Sequence, residues 1–142
     1  VDQIRSIDTN KNAWTAIVWF QGENDVFLGA DNANAYLQYL TDFIYEVREE
    51  MFMVDDTICP SAQDIPVVII QVGCWTQGLL LGPIIAKAQA TFVEGDENAA
   101  LVKTDDVSCH YHYDDASQLI IGERVAEALM FLKLYEPDLG EK

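Results

Sequence analysis

The sequence predicts an α/β fold, three layers deep, in which a parallel sheet is covered by helices on both faces. Three observations predict it. Short β-branched runs alternate with longer stretches of helical periodicity, in the order strand, helix, strand, helix, strand, helix. The first two runs, AIVWF and PVVIIQV, are apolar almost throughout rather than alternating, which suits strands buried on both faces. The first ends in Gln21-Gly22 and the second stops at Gly73. Alternation of this kind implies right-handed crossovers between parallel neighbours. A chain of 142 residues holds one such core, and a second would be hard to fit. With no internal repeat, low-complexity tract or linker, residues 1–142 read as a single domain.

The elements follow in order. Ala16 to Phe20 forms the first strand. The next helix is capped at Asp31 or Asn32, and its apolar stripe is Tyr36, Leu37, Leu40, Phe43, Ile44 and Val47. Met51 to Asp64, with Pro60 and an acidic pair, reads as a loop. Pro66 leads the second strand. Gly82-Pro83 opens the second helix with proline at a favoured first position, and Gly95 lies near its end. Ala99 to Thr104 is a third short strand. The last helix carries Ile121, Val125, Ala128, Leu129, Leu132 and Tyr135 on one face, and Pro137 stops it.

Composition narrows the partners. Hydrophobic residues make up 50% of the chain, so it packs rather than remaining disordered. Twenty-four Asp and Glu against eight Lys and Arg give a net charge of −16. Such a surface repels nucleic acid and anionic membranes, and neither is expected as a partner. The acidic residues are scattered in small clusters, which is the pattern of a solvated surface rather than a tail. The first dozen residues are polar, so no secretory signal is expected within this stretch of sequence. No apolar run approaches the ~18 residues of a membrane helix. A soluble protein is expected, its compartment open. Cys59, Cys74 and Cys109 form neither a disulfide framework nor a zinc pattern; one bridge plus a free thiol fits them.

In open parallel sheets, ligands bind beyond the carboxyl ends of the strands. Gln21 to Asp25, Gly73 to Gly78 and Asp105 to Asp115 lie there, and they are the chemically richest segments. In QGEND, backbone amides and the Asn24 side chain can point at a ligand oxygen, although Gly, Asn and Asp also suit a plain turn. DDVSCHYHYDD holds both histidines, His110 and His112, the side chains best suited to proton transfer near neutral pH. Surface ion pairing with the neighbouring aspartates is the bland alternative. A metal site is another, since His and carboxylate suit several divalent ions. On an extended segment, however, His110 and His112 project to opposite sides, and a shared metal needs a turn. Trp75 suits a pocket wall or core packing.

VWFQGEND, PVVIIQVG and HYDDASQLIIGERVAEAL together resemble the SGNH hydrolases, in particular their sialate O-acetylesterase and family 6 carbohydrate esterase branch. The resemblance runs from about Ile17 to Leu129 and rests on Trp19 to Glu23, His112, Gln118, Gly122 and Arg124. It implies an SGNH/flavodoxin-like sheet and metal-independent acyl-ester hydrolysis without a cofactor, acting on an acetyl ester of a small molecule or polysaccharide. It also implies a serine nucleophile with His112 as general base. Gln21, Gly22 and Asn24 then supply the oxyanion donors. Glu23 and Trp75 are expected at the substrate.

Two departures qualify it. The branch carries its nucleophile in an N-terminal Gly-Gln-Ser-Asn block, and none of Ser6, Ser61, Ser108 and Ser117 follows an apolar strand at a tight glycine turn. The first two strands of the family's sheet are therefore expected to be missing, and the chain to be the C-terminal portion of a longer esterase or the product of a truncated reading frame, weak or inactive alone. The family's catalytic Asp, three residues before the His, is replaced by Cys109, which leaves Asp105 or Asp106, on a rearranged loop, or a backbone carbonyl to orient His112. Two other functions remain open: a carbohydrate-binding module without turnover, and a metal-dependent hydrolase centred on His110, His112, Asp105 and Asp106. Without its neighbours the first strand has an exposed apolar edge, so the chain is expected either to self-associate through that edge or to cover it with its N-terminal segment.

Overall fold

Three short parallel strands, β1 (Ile17–Trp19), β2 (Val67–Ile70) and β3 (Ala99–Val102), form one sheet in the order β1-β2-β3. In register, Ile17 faces Val67 and Val67 faces Ala99. The structure is a computed structural model describing residues 15–57, 59–110 and 112–132, the side chains of Trp75 and Gln77 falling outside that set. Helices α1 (Ala30–Val54), α2 (Gly82–Glu94) and α3 (Asp115–Phe131) complete the predicted α/β/α layers.

Helices α1 and α2 share one face of the sheet, where Tyr36, Leu40, Ile44, Ile85 and Phe92 pack against Val67 and Ile69. On the other face α3 lays Ile121 against Val68, Ile70 and Val102, with Val125, Ala128, Leu129 and Leu132 alongside. Strand β2 is therefore buried at every position, as a continuous β-branched run demands. Arg48 locks the α1–α2 layer from within. Its Nε donates to the Ile65 carbonyl at 2.9 Å and its guanidinium pairs with Asp96 at 2.5 Å.

Strand β1 departs from expectation. It is partly buried on one face, where Ile17 and Trp19 pack against the α1–α2 core, and uncovered on the other, because α3 packs on β2 and β3. Val18 and Phe20, on the α3 side, remain 46% and 43% exposed. Among the described residues β1 pairs with β2 alone.

Other corrections are local. Helix α1 starts at Ala30 behind Gly29, so Asp31 and Asn32 lie within its first turn instead of capping it. Asp31 still sits where a carboxylate complements the helix dipole. The helix runs on through Met51 to Val54, and a 3-10 turn at Ala62–Asp64 occupies part of the expected loop. Asp114 caps α3 by accepting the Ser117 N–H at 2.8 Å. Tyr135 and Pro137 lie outside the described residues. No helix among the described residues is long and apolar enough to cross a membrane.

Candidate functional site

Three loops meet beyond the carboxyl ends of the strands. The first leaves β1 through Gln21 and Gly22 and turns into a 3-10 helix at Asn24–Phe27. Gly22 has a φ of +140°, and a Cβ there would stand 2.6 Å from Val72 Cγ1 and 3.1 Å from both Ile85 and the Tyr36 hydroxyl. Only glycine fits a left-handed position pressed this closely against the core. The Gln21 carbonyl accepts two hydrogen bonds, from Tyr36 Oη at 3.1 Å and from Gln89 Nε2 at 2.9 Å.

The two amide candidates on this loop separate. Gln21 Nε2 donates to Asp25 at 2.7 Å, and Asn32 donates to the other Asp25 oxygen at 3.1 Å. Gln21 and Asp25 line a small hollow of about 300 Å³ with Trp19, Tyr36 and Phe43. Asn24 is exposed and lines a different, larger cavity.

The second loop follows β2. Gly73 is buried where the ends of β2 and β3 converge, and a Cβ on it would overlap Thr104 Oγ1 at 2.2 Å and Tyr113 Oη at 2.8 Å. Cys74, at a positive φ of 57°, forms a disulfide with Cys109 of the third loop. The bridge plus one free thiol that fitted the cysteine pattern is thus realised, and Cys59 stays reduced and buried, its thiol pushed up by desolvation.

The third loop carries both histidines, and four anchors hold it. Besides the disulfide, Cys109 and Tyr113 form an antiparallel bridge, so the chain turns between them. Tyr113 Oη and Thr104 Oγ1 share a hydrogen bond of 2.7 Å, and Thr104 also donates to the Gln71 carbonyl. Ser117 Oγ donates to the Ser108 carbonyl at 2.5 Å. Burial raises the Tyr113 phenol above its ordinary value, so it stays a neutral hydrogen-bonding group. Its ring lies 5.8 Å from that of Phe20, bringing the third loop to the first.

Between these loops and α3 lies a cavity of about 660 Å³. Phe20, Glu23 and Asn24 line it from the first loop, His112 and Tyr113 from the third, and Gln118 and Gly122 from α3. Among the described residues Glu23 is the one carboxylate that lines it. His112, Glu23 and Asn24 thus share one space although they stand far apart in the chain. Asp106 belongs elsewhere. It makes a two-pronged ion pair with Arg124, at 2.7 and 2.6 Å, in a hollow along β3. The Arg124 hydrogen bonds hold its carboxyl below the usual carboxylate range. Trp75 has its backbone in the second loop, but its side chain lies outside the described residues.

No serine lines the cavity among the described residues. Ser61 donates to Asp64, Ser117 is consumed at the start of α3, and Ser6 is outside the described set. Among the described residues no three His, Cys, Asp or Glu side chains gather as a metal site. Sequence reasoning overlooked Tyr113, Thr104 and Gln89. Gln89 left a signal, a polar residue on the buried Ile85, Ala88 and Phe92 stripe of α2.

A family model described as carbohydrate esterase, sialic acid-specific acetylesterase, matches residues 1–131 of the chain. Neither the curated proteins nor the solved structures contain a match.

Proposed function

The chain belongs to the sialic acid-specific acetylesterase family of carbohydrate esterases, and from that we propose that it serves in removing acetyl groups from O-acetylated carbohydrate. The observation that carries this reading is the single cavity lined by His112, Glu23 and Asn24 at the carboxyl edge of a parallel sheet.

In this reading a serine hydroxyl attacks the ester carbonyl while His112 takes its proton. The carbonyl oxygen becomes an oxyanion, held by the Gly22 N–H and the Asn24 side-chain amide. Gln21 is a poorer donor, because its amide is already committed to Asp25. Collapse of the intermediate breaks the ester bond, and His112 returns its proton to the departing sugar alcohol. Water then attacks the acyl-serine by the same route and releases acetate. Glu23, which shares the cavity, takes the role of orienting the imidazole, since Asp106 is occupied by Arg124. The serine itself comes from polypeptide outside the described residues.

The test is hydrolysis of p-nitrophenyl acetate and an acetylated sugar by the chain alone and by the chain joined to the reading frame upstream of Val1. Turnover is expected with the upstream segment, falling by roughly 10²–10⁴ in His112→Ala. Sugar binding without turnover in both forms points instead to a binding module. Activity removed by a chelator and restored by a divalent ion points to a metal-dependent hydrolase.

A further inference from the structure

We infer that Gln89 is a positioning residue for the candidate oxyanion site: together with Tyr36 it fixes the Gln21–Gly22 peptide so that the Gly22 N–H is presented toward the His112 cavity. This rests on the reading of that cavity as an ester-hydrolysing site, but the geometry behind it stands alone.

Gln89 is fully buried on α2 and sits on the helical layer opposite α3. A buried amide persists where both its ends find partners. Gln89 Oε1 accepts the Val72 N–H at 2.7 Å, and its Nε2 donates to the Gln21 carbonyl at 2.9 Å and lies 3.4 Å from Tyr36 Oη. One side chain thereby fastens the exit of β1 to the exit of β2. Tyr36, on α1, donates to the same carbonyl. Burial raises its phenol, so the donor proton is retained.

Peptide planarity does the rest. The Gln21–Gly22 bond is trans, so the Gly22 N–H points opposite to the Gln21 carbonyl. That carbonyl is pulled into the α1–α2 layer by two donors, and the N–H is therefore turned to the other side of the sheet. Phe20 and the cavity of His112 lie on that side. Among the described residues the Gly22 N–H donates to no backbone acceptor. Gly22 permits the arrangement, because a side chain would collide with Val72. A preset donor of this kind needs no reorganisation when charge develops on the substrate.

The experiment uses NMR on the whole chain, with acetate as the oxyanion probe. The one-bond N–H residual dipolar coupling of Gly22 reports the amide's direction without any ligand. It is expected to change in Gln89→Met and, to a smaller extent, in Tyr36→Phe, while couplings in the three strands keep their values. Acetate is expected to move the Gly22 amide resonance in the wild type and to bind roughly tenfold more weakly in Gln89→Met. Gln89→Glu is the diagnostic variant. A protonated carboxyl both donates and accepts, whereas the carboxylate cannot donate, so the Gly22 coupling should be wild-type-like at low pH and altered at high pH. If the Gly22 coupling is unchanged in every folded variant, or reports an N–H aimed into the α1–α2 layer, the inference is wrong. If acetate leaves Gly22 unmoved in the wild type while the coupling behaves as expected, the oxyanion-site reading falls and the orienting role of Gln89 stands.

Discussion

Cys74 and Cys109 are joined by a disulfide, their Cα atoms 5.6 Å apart, and the bond ties the loop after β2 to the loop that carries His112. Where the resemblance leads one to expect an orienting aspartate, three residues before the histidine, the chain has a covalent staple. An aspartate would act on the imidazole directly. The staple acts on the backbone, fixing one end of a turn whose other end Tyr113 holds against Thr104.

Reduction of that disulfide, or Cys109→Ser, should loosen the His112 loop and lower stability. The bridged residues are 35 apart in sequence, and closing a loop of that size contributes about 2–4 kcal/mol. Urea unfolding with and without reductant measures it, and hydrogen exchange should show the added mobility confined to the second and third loops. An unchanged midpoint would contradict this account.

Gly73→Ala should be costly for its size. The added methyl would overlap Thr104 Oγ1 and Tyr113 Oη, so either the Thr104–Tyr113 hydrogen bond parts or the ends of β2 and β3 separate. Overpacking of this kind destabilises by about 1–3 kcal/mol. Thermal melts compare it with Gly78→Ala, where a Cβ would meet nothing and little change is expected.

Acid should release α3 early. Backbone N–H donation from Ser117 holds the Asp114 carboxyl below its ordinary 3.8, and Arg124 does the same for Asp106. A depressed carboxylate contributes stability above the unfolded value and loses it as pH falls through the lower folded one. Helix content followed by circular dichroism should therefore hold above about pH 4 and decline below 3.8. Asp114→Asn keeps the capping oxygen but removes its titration, and should flatten that decline.

The uncovered face of β1 should drive self-association. Val18 and Phe20 stand exposed on it, and among the described residues its outer edge has no strand partner. Sedimentation velocity should show concentration-dependent oligomers, reduced by Val18→Lys, which puts a charge on the exposed face. A wild-type chain that stays monomeric at high concentration would remove the idea.

Much of this fold was legible because it follows from local rules. PVVIIQV is β-branched and apolar on both faces, and it became the buried central strand. Gly82-Pro83 marked a helix start because proline's fixed φ suits the first turn. The end of α1 was misjudged because Met51 to Val54 carries no breaker, and nothing in that stretch stops a helix. AIVWF is apolar enough for burial on both faces, but burial depends on a neighbour. Among the described residues no helix covers the α3 side of β1, where Val18 and Phe20 stay exposed.

The sequence by itself determined the class of fold, the order of its elements and the segments that border the crevice, because periodicity, caps and turn residues act over a few positions. It also named Gln21, Gly22, Glu23, Asn24, Asp106 and His112 as candidates without ranking them. Only the tertiary structure decided which of them meet. Asn24, Glu23 and His112 line one cavity, whereas the Gln21 amide goes to Asp25 and Asp106 goes to Arg124. The same holds for the Cys74–Cys109 pairing and for Gln89. The physical reason is common to all three. A hydrogen bond or disulfide forms between groups a few ångströms apart, and that distance is set by how three layers pack rather than by spacing along the chain.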